Sequence, residues 1–564
     1  MLERGLWASF FMQSTKIYKP ITLFLMIDTY PLYKIIDDAA RDFPDANGFD
    51  FLGKKFKWRE LGAAVNAFAR GLQDAEVKQG TKIGLCLPNC PQYLVAYYGA
   101  LKAGMTVVNY NPLYAKDELE YQINDSETEI MVTLDLKVTY DKVGEMLSRT
   151  KTLKHIIVCR FVDVLPFPKN LLFPVFKSKD IATWPRDESH FDLDDVMNFE
   201  GLPKAVEIDV KNDVALLQYT GGTTGVPKGA MLTHANLSAN TEQCLVAFDG
   251  VEMGKEKMLA VIPFFHVFAM TVALNLATRI ASEIIAIPKF ELEDAIKLIH
   301  KKKPTVMPAV AAIYNAIANY KDIAKYDLTS LKRCISGGAP LPVEVKRKFE
   351  KMTGCILVEG YGLTETSPVT HVNPLDGENK PGSIGLPLEG TQVQIVDPEK
   401  HKKQMKQGEK GEICIKGPQV MKGYWNNAES TKNTLRDGEW LHTGDIAYVD
   451  DDGYFFIVDR IKDLIITNGY NVYPRHVEEA LYKHKDVEEC IVGGLPCDQR
   501  GERVKAWIKL KDDRKLSEIV LREFLKDKIS PIEMPKDIEF RTEPLPKTMI
   551  GKLSRKDIIA EEGN

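Results

Sequence analysis

Apolar and polar positions alternate along this chain in two rhythms. Short continuous apolar runs at 82–87, 107–110 and 130–134 read as strands buried on both faces. Longer segments at 91–103 and 115–124 separate them and predict helices, as do 28–41 and the amphipathic 61–72. Residues 49–56 predict a hairpin turning at Gly53. Strands alternating with helices imply mostly parallel sheet covered on both faces. Further apolar runs at 214–217, 258–263, 305–309 and 334–335 extend the pattern, and residues 230–239 after the first of these predict a helix opening.

From Glu389 the character becomes β, with strands at 391–396 and 412–416 flanking a charged turn at 397–410. Residues 440–445 place Asp445 on a turn, and 454–458 is the next strand. The charged joint 459–463 reads as a hinge before a small α/β lobe, which closes in an exposed turn at 546–552. The segment 162–179 breaks the rhythm, because Pro166, Pro168 and Pro174 oppose a long helix. A loop packed on the core is its leading reading; an apolar surface rimmed by Lys169, Lys177 and Lys179, touching lipid, is the other.

A chain of 564 residues is too long for one core. Formal net charge is -5, from 74 basic and 79 acidic residues, so no global field favours nucleic acid. The nine cysteines lack CxxC spacing, which fits a reducing compartment. Two apolar bursts, 6–12 and 21–26, are each too short to span a bilayer. A cytoplasmic protein is expected, with peripheral contact at the inner membrane face as the variant.

The chemistry centres on residues 219–229, Tyr-Thr-Gly-Gly-Thr-Thr-Gly-Val-Pro-Lys-Gly, directly after a predicted strand. Its order matches neither a Walker loop nor a dinucleotide fingerprint. Read alone it is equally a surface loop and a phosphate cradle, with hydroxyls from threonines and a point charge from Lys228. His266 stands among Phe264, Phe265 and Phe268 at a strand end, either as core filler or as the wall of an apolar substrate pocket. Tyr361, Thr364 and Glu365 follow, and a carboxylate near a phosphate loop makes Glu365 a candidate magnesium contact.

These stretches together resemble the adenylate-forming superfamily, which includes acyl-CoA synthetases, firefly luciferase and peptide-synthetase adenylation domains. The motifs occur in the family's order: 219–229, 263–266, 336–340, 361–366, 443–445 with Arg460, and Gly551-Lys552. The resemblance implies an α/β fold: a large N-terminal domain with mostly parallel sheets plus a distorted β-barrel-like part, and a smaller mobile C-terminal domain. The boundaries follow as 1–459, a hinge at 460–463, and 464–564.

By the same resemblance, Thr220, Gly221, Gly222, Thr223, Thr224, Gly225 and Lys228 hold the ATP phosphates, while Gly338 and Tyr361 flank adenine. Thr364 touches the α-phosphate and Glu365 binds Mg2+. Asp445 and Arg460 take the ribose, Lys462 is the pivot, Lys552 enters the site for adenylation, and His266 lines the acyl pocket. The expected partners are ATP, Mg2+, CoA and a fatty acid, with the assembly left open between a monomer and a homodimer.

The aromatic wall at 264–268 and the run 468–474 look most like bacterial-type long-chain fatty acid–CoA ligases. Aryl, hydroxycinnamoyl or medium-chain acyl-CoA ligases, and an acyl-AMP ligase loading a carrier protein, are the alternatives. Ile466 stands where some relatives carry a lysine, so no thiolation role is carried onto it. Met549 and Ile550 stand where small residues are common.

Overall fold

In the computed structural model, two large sheets form the body of the N-terminal domain because their central strands are apolar on both faces. The structure describes residues 27–199, 201–220, 226–248, 250–437, 439–497, 499–548 and 551–562. The bursts at 6–12 and 21–26, Gly221 to Gly225, and Met549 with Ile550 lie outside that set.

The first sheet runs in the order Gly423–Tyr424, Lys228–Thr233, Val214–Thr220, Thr106–Asn109, Lys82–Cys86, Thr128–Leu134, His155–Cys159, His190–Asp192. Its pairings from Val214–Thr220 outward to His190–Asp192 are parallel. The second sheet is parallel through Asn47–Phe51, Glu283–Ala286, Lys257–Ala260, Val306–Ala309, Arg333–Ser336 and Ile356–Gly362. Antiparallel strands close both of its edges, and one of these is the hairpin at Gly53.

Several expectations need correction. Residues 228–233 form a strand antiparallel to Val214–Thr220, with Thr220 opposite Lys228, and the helix begins only at His234. The Thr233 side chain caps that helix by accepting from Asn236 N–H, which fixes the late start. The Pro-rich segment packs on the core through Val164, Leu165 and Phe173, as expected of it, but it also carries a short helix, Lys169–Phe176. Phe173 stands edge-on to Phe161 at 5.1 Å, while Phe167, Leu171, Val175 and Phe176 are 79%, 61%, 71% and 77% exposed.

Residues 392–460 make an antiparallel sheet of five strands whose path does not close into a barrel. Asp445 lies within the strand Trp440–Val449 rather than on a turn. Glu412 pairs with Ile446 and Cys414 with His442, so Thr443, Gly444 and Asp445 bulge out where the partner strand has one residue. Gly444, at φ +73°, supplies the left-handed backbone the bulge requires.

The smaller C-terminal domain is a mixed sheet of five strands around Gly501–Leu510, with its own cores built on Val492, Ile508 and Trp507. Arg475 of this domain reaches Glu359 of the large one at 3.7 Å, and Arg555 bonds Asp463 and Glu478, each at 2.8 Å.

Candidate active site

A cleft of about 2500 Å³ opens between the two domains at the carboxyl ends of the large sheets. The loop carrying His266 is fastened there from three sides. Asn89 accepts from Phe264 N–H at 2.7 Å, Tyr93 donates to the Phe264 carbonyl, and Gln218 donates to the Phe265 carbonyl at 3.0 Å. His266 Nδ1 accepts from Phe268 N–H at 3.3 Å, so in the neutral ring Nε2 carries the proton. Burial, reinforced by the Lys552 charge, pushes the His266 pKa down to about 4, which keeps the ring neutral at physiological pH.

The carboxylate of Asp445 is held from two directions. Tyr361 donates its hydroxyl at 2.6 Å, and Arg460 Nε lies 3.2 Å away. Asp445 N–H donates to Thr443 Oγ1, whose own hydroxyl donates to the Ile413 carbonyl, so the bulge is pinned to its neighbour strand. Asp445 holds the Arg460 guanidinium above its ordinary pKa, and burial followed by Asp445 raises the Tyr361 phenol.

Glu365 sits on a single 3-10 turn, Thr364–Thr366, and its Oε1 accepts from Tyr424 at 2.6 Å. Lys228 Nζ lies 5.3 Å from the centre of the Tyr424 ring. Lys228 borders a small depression beside the cleft rather than the cleft itself. Thr220, Gly338 and Thr364 line the cleft, as do Arg460 and Lys462.

Lys552, expected on an exposed turn, instead faces the cleft and is half-buried. Its turn is closed by Thr548 N–H donating to the Lys552 carbonyl at 2.6 Å. Burial, with the Arg460 guanidinium acting in the same sense, lowers the Lys552 pKa to about 8, and Asp445 partly opposes this. Burial and Arg460 also lower the Lys462 pKa.

Apolar residues also line the cleft, among them Cys244, Phe248 at the end of the same helix, Phe268, Val272 and Leu388. Residues 267–279 form a helix whose middle, Met270–Asn275, is a buried π-helical segment. Gly337 lets Phe268 pack close, since a Cβ there would stand 2.9 Å from the ring.

Sequence reasoning missed Tyr424, which stands on a strand of only two residues, Gly423–Tyr424. It also missed Glu412, whose Oε1 accepts from Gly444 N–H at 3.0 Å. Neither has a periodic signal; each matters through a partner distant in the chain.

Comparison with known proteins shows the family. The AMP-binding enzyme family matches residues 36–425, and the AMP-binding enzyme C-terminal domain matches 476–552. A long-chain-fatty-acid–CoA ligase of Bacillus subtilis (strain 168) is 44% identical over 545 residues, covering 94% of each chain. Its namesake from Salmonella typhimurium is 38% identical, also with 94% coverage of each. The solved structure of ATP-bound MatB from Rhodopseudomonas palustris superposes with a TM-score of 0.82 at 27% identity, over 95% of this chain and 99% of that one.

Proposed function

We propose, since the chain belongs to the AMP-binding enzyme family, that it is an ATP-dependent long-chain fatty acid–CoA ligase. A carboxylate oxygen attacks the α-phosphorus of ATP and pyrophosphate leaves. The CoA thiol then attacks the acyl carbon of the mixed anhydride and expels AMP. The observation that carries this reading is one cleft where Lys552 of the small domain joins His266, the Asp445–Arg460 pair and apolar lining residues such as Phe268 and Val272.

The first step brings two anions together, so positive charge and N–H donors must converge on the phosphoryl group. Lys552 supplies an ammonium, and His266 offers a neutral Nε2–H donor that no acidic medium is needed to maintain. Asp445, oriented by Tyr361 and Arg460, presents a carboxylate suited to the vicinal hydroxyls of ribose. Thr220, Thr364, Lys228 and the loop 221–225 are assigned to the phosphates, and Gly338 with Tyr361 to adenine.

The Glu365 carboxylate fits Mg2+, which is commonly held by one or two carboxylates plus substrate phosphates. When bound, the ion supplies neutralisation of the phosphate charge. The second step needs the lysine withdrawn, and we assign residues 460–463, with Lys462 as pivot, to the rotation of residues 464–564. Among the described residues no helix is long and apolar enough to cross a membrane. The exposed face of Lys169–Phe176, with its flanking lysines, is assigned to a lipid surface where such substrates reside.

The test is CoA-dependent AMP release across acetate, octanoate, palmitate, oleate and coumarate, with the thioester followed by mass. A maximum at palmitate or oleate with matching acyl-CoA supports the reading. A maximum at coumarate or octanoate overturns the chain-length assignment, and adenylate without thioester overturns CoA as the acceptor.

A further inference from the structure

Beside the Thr443–Asp445 bulge, on residues the proposed reaction does not use, three side chains with metal-binding atoms converge. Glu412 stands on the strand Gly411–Lys416 and His442 on the neighbouring Trp440–Val449. His401 arrives on the turn joining Gln392–Val396 to Gly411–Lys416. The sequence thus brings two imidazoles and a carboxylate together from three segments, while the nearby Cys414 thiol is directed to the Glu412 carbonyl at 3.9 Å.

His442 Nδ1 is hydrogen-bonded to Glu412 Oε2 at 2.8 Å, and His401 Nδ1 lies 3.8 Å from the same oxygen. Tetrahedral zinc, with bonds of about 2.0–2.3 Å, sets its ligands about 3.3–3.8 Å apart, so an ion would open the His442–Glu412 contact by about half an ångström. One ligand atom each from His401, Glu412 and His442 lies within 4.8 Å of the others. The two imidazole rings meet edge to face at 5.4 Å. Independently, His401 Nδ1 is shielded from solvent and has no hydrogen-bond partner. That nitrogen faces the Glu412 carboxylate from 3.8 Å, which leaves room for a cation to bond both.

We propose that His401, Glu412 and His442 form a site for one divalent ion of the Zn2+ class. Two imidazole donors disfavour Mg2+ and Ca2+, which take oxygen. On binding, the His442 proton moves from Nδ1 to Nε2, freeing the Nδ1 lone pair for the metal. Glu412 Oε1 keeps its bond from Gly444 N–H while Oε2 turns to the ion, so occupancy would stiffen the bulge that carries Asp445.

The test uses the full-length, untagged protein titrated with Co2+, and with Zn2+ in competition with a chromophoric chelator. Expected are one equivalent bound and visible Co2+ bands that Zn2+ abolishes. His401→Ala, on a surface turn where the fold tolerates change, should weaken binding by more than the about 10–100-fold that loss of an outer-shell partner costs. Absence of the Co2+ bands in the wild-type protein, or a smaller loss of affinity in His401→Ala, would overturn the site.

Discussion

Tyr361 and Asp445, distant in sequence, meet through a 2.6 Å hydrogen bond that fixes the carboxylate assigned to ribose. Replacing Asp445 with Asn leaves Arg460 beside a neutral amide, and a buried partner left unsatisfied costs about 1–3 kcal/mol. Asp445→Asn should therefore lower kcat/KM for ATP about tenfold or more, and Tyr361→Phe by less. Steady-state kinetics with varied ATP decides; an unchanged KM for both variants would remove the ribose assignment.

Lys552, with its pKa lowered to about 8, is an ammonium below that pH and neutral above it. Adenylation kcat/KM, which reports the free enzyme, should fall as pH rises through about 8. His266, at about 4, is already neutral there and contributes no second inflection. Lys552→Ala should suppress adenylate formation, remove that inflection, and spare thiolysis of supplied acyl-adenylate. Equal loss of both half-reactions would sink the rotating-domain assignment.

Glu365 is bonded to Tyr424 at the edge of the phosphate region. Chelation of divalent ions should abolish pyrophosphate exchange. Glu365→Gln should raise the Mg2+ concentration for half-maximal exchange about tenfold, the loss of one charged ligand being worth roughly 1.5–3 kcal/mol. A Mg2+ dependence identical to that of the wild-type protein counts against the residue as a ligand.

Val272 is buried and lines the cleft. Val272→Phe should shorten the space available to an acyl chain. Each excluded methylene forfeits about 0.8 kcal/mol, so losing four costs about 3 kcal/mol, or roughly 100-fold in kcat/KM. Palmitate should suffer that loss while octanoate changes little. Parallel declines for both acids would place the chain elsewhere.

On the helix Lys169–Phe176, Leu171 and Val175 are already exposed, so Leu171→Glu with Val175→Glu should leave the melting temperature unaltered. The double variant should lose most of its sedimentation with anionic liposomes at low salt. Retained binding, or a wild-type protein that stays wholly in the supernatant, would dismiss this face as the lipid contact.

Buried parallel strands were legible from sequence because continuous apolar runs announce them. Lys82–Cys86 and Thr128–Leu134 fall where the pattern put them. What escaped depends on partners the local pattern does not contain. Lys228–Thr233 became a strand because Val214–Thr220 offers it a ladder, and Asp445 left its turn because Gly411–Lys416 pairs on both sides of the bulge. Lys552 is withdrawn from solvent only because one domain rests on the other.

The π-helical segment Met270–Asn275 gives the cleft wall an unusual kind of evolvability. Such a segment holds one more residue than the α-helical path between the same ends. Deleting a single residue there would restore ordinary helix and swing the residues beyond it by about 100° around the axis. Val272 and its neighbours would then exchange places on the wall in one step. An insertion or deletion in this helix would therefore reshape the cleft wall in jumps that stepwise substitution of side chains would not make.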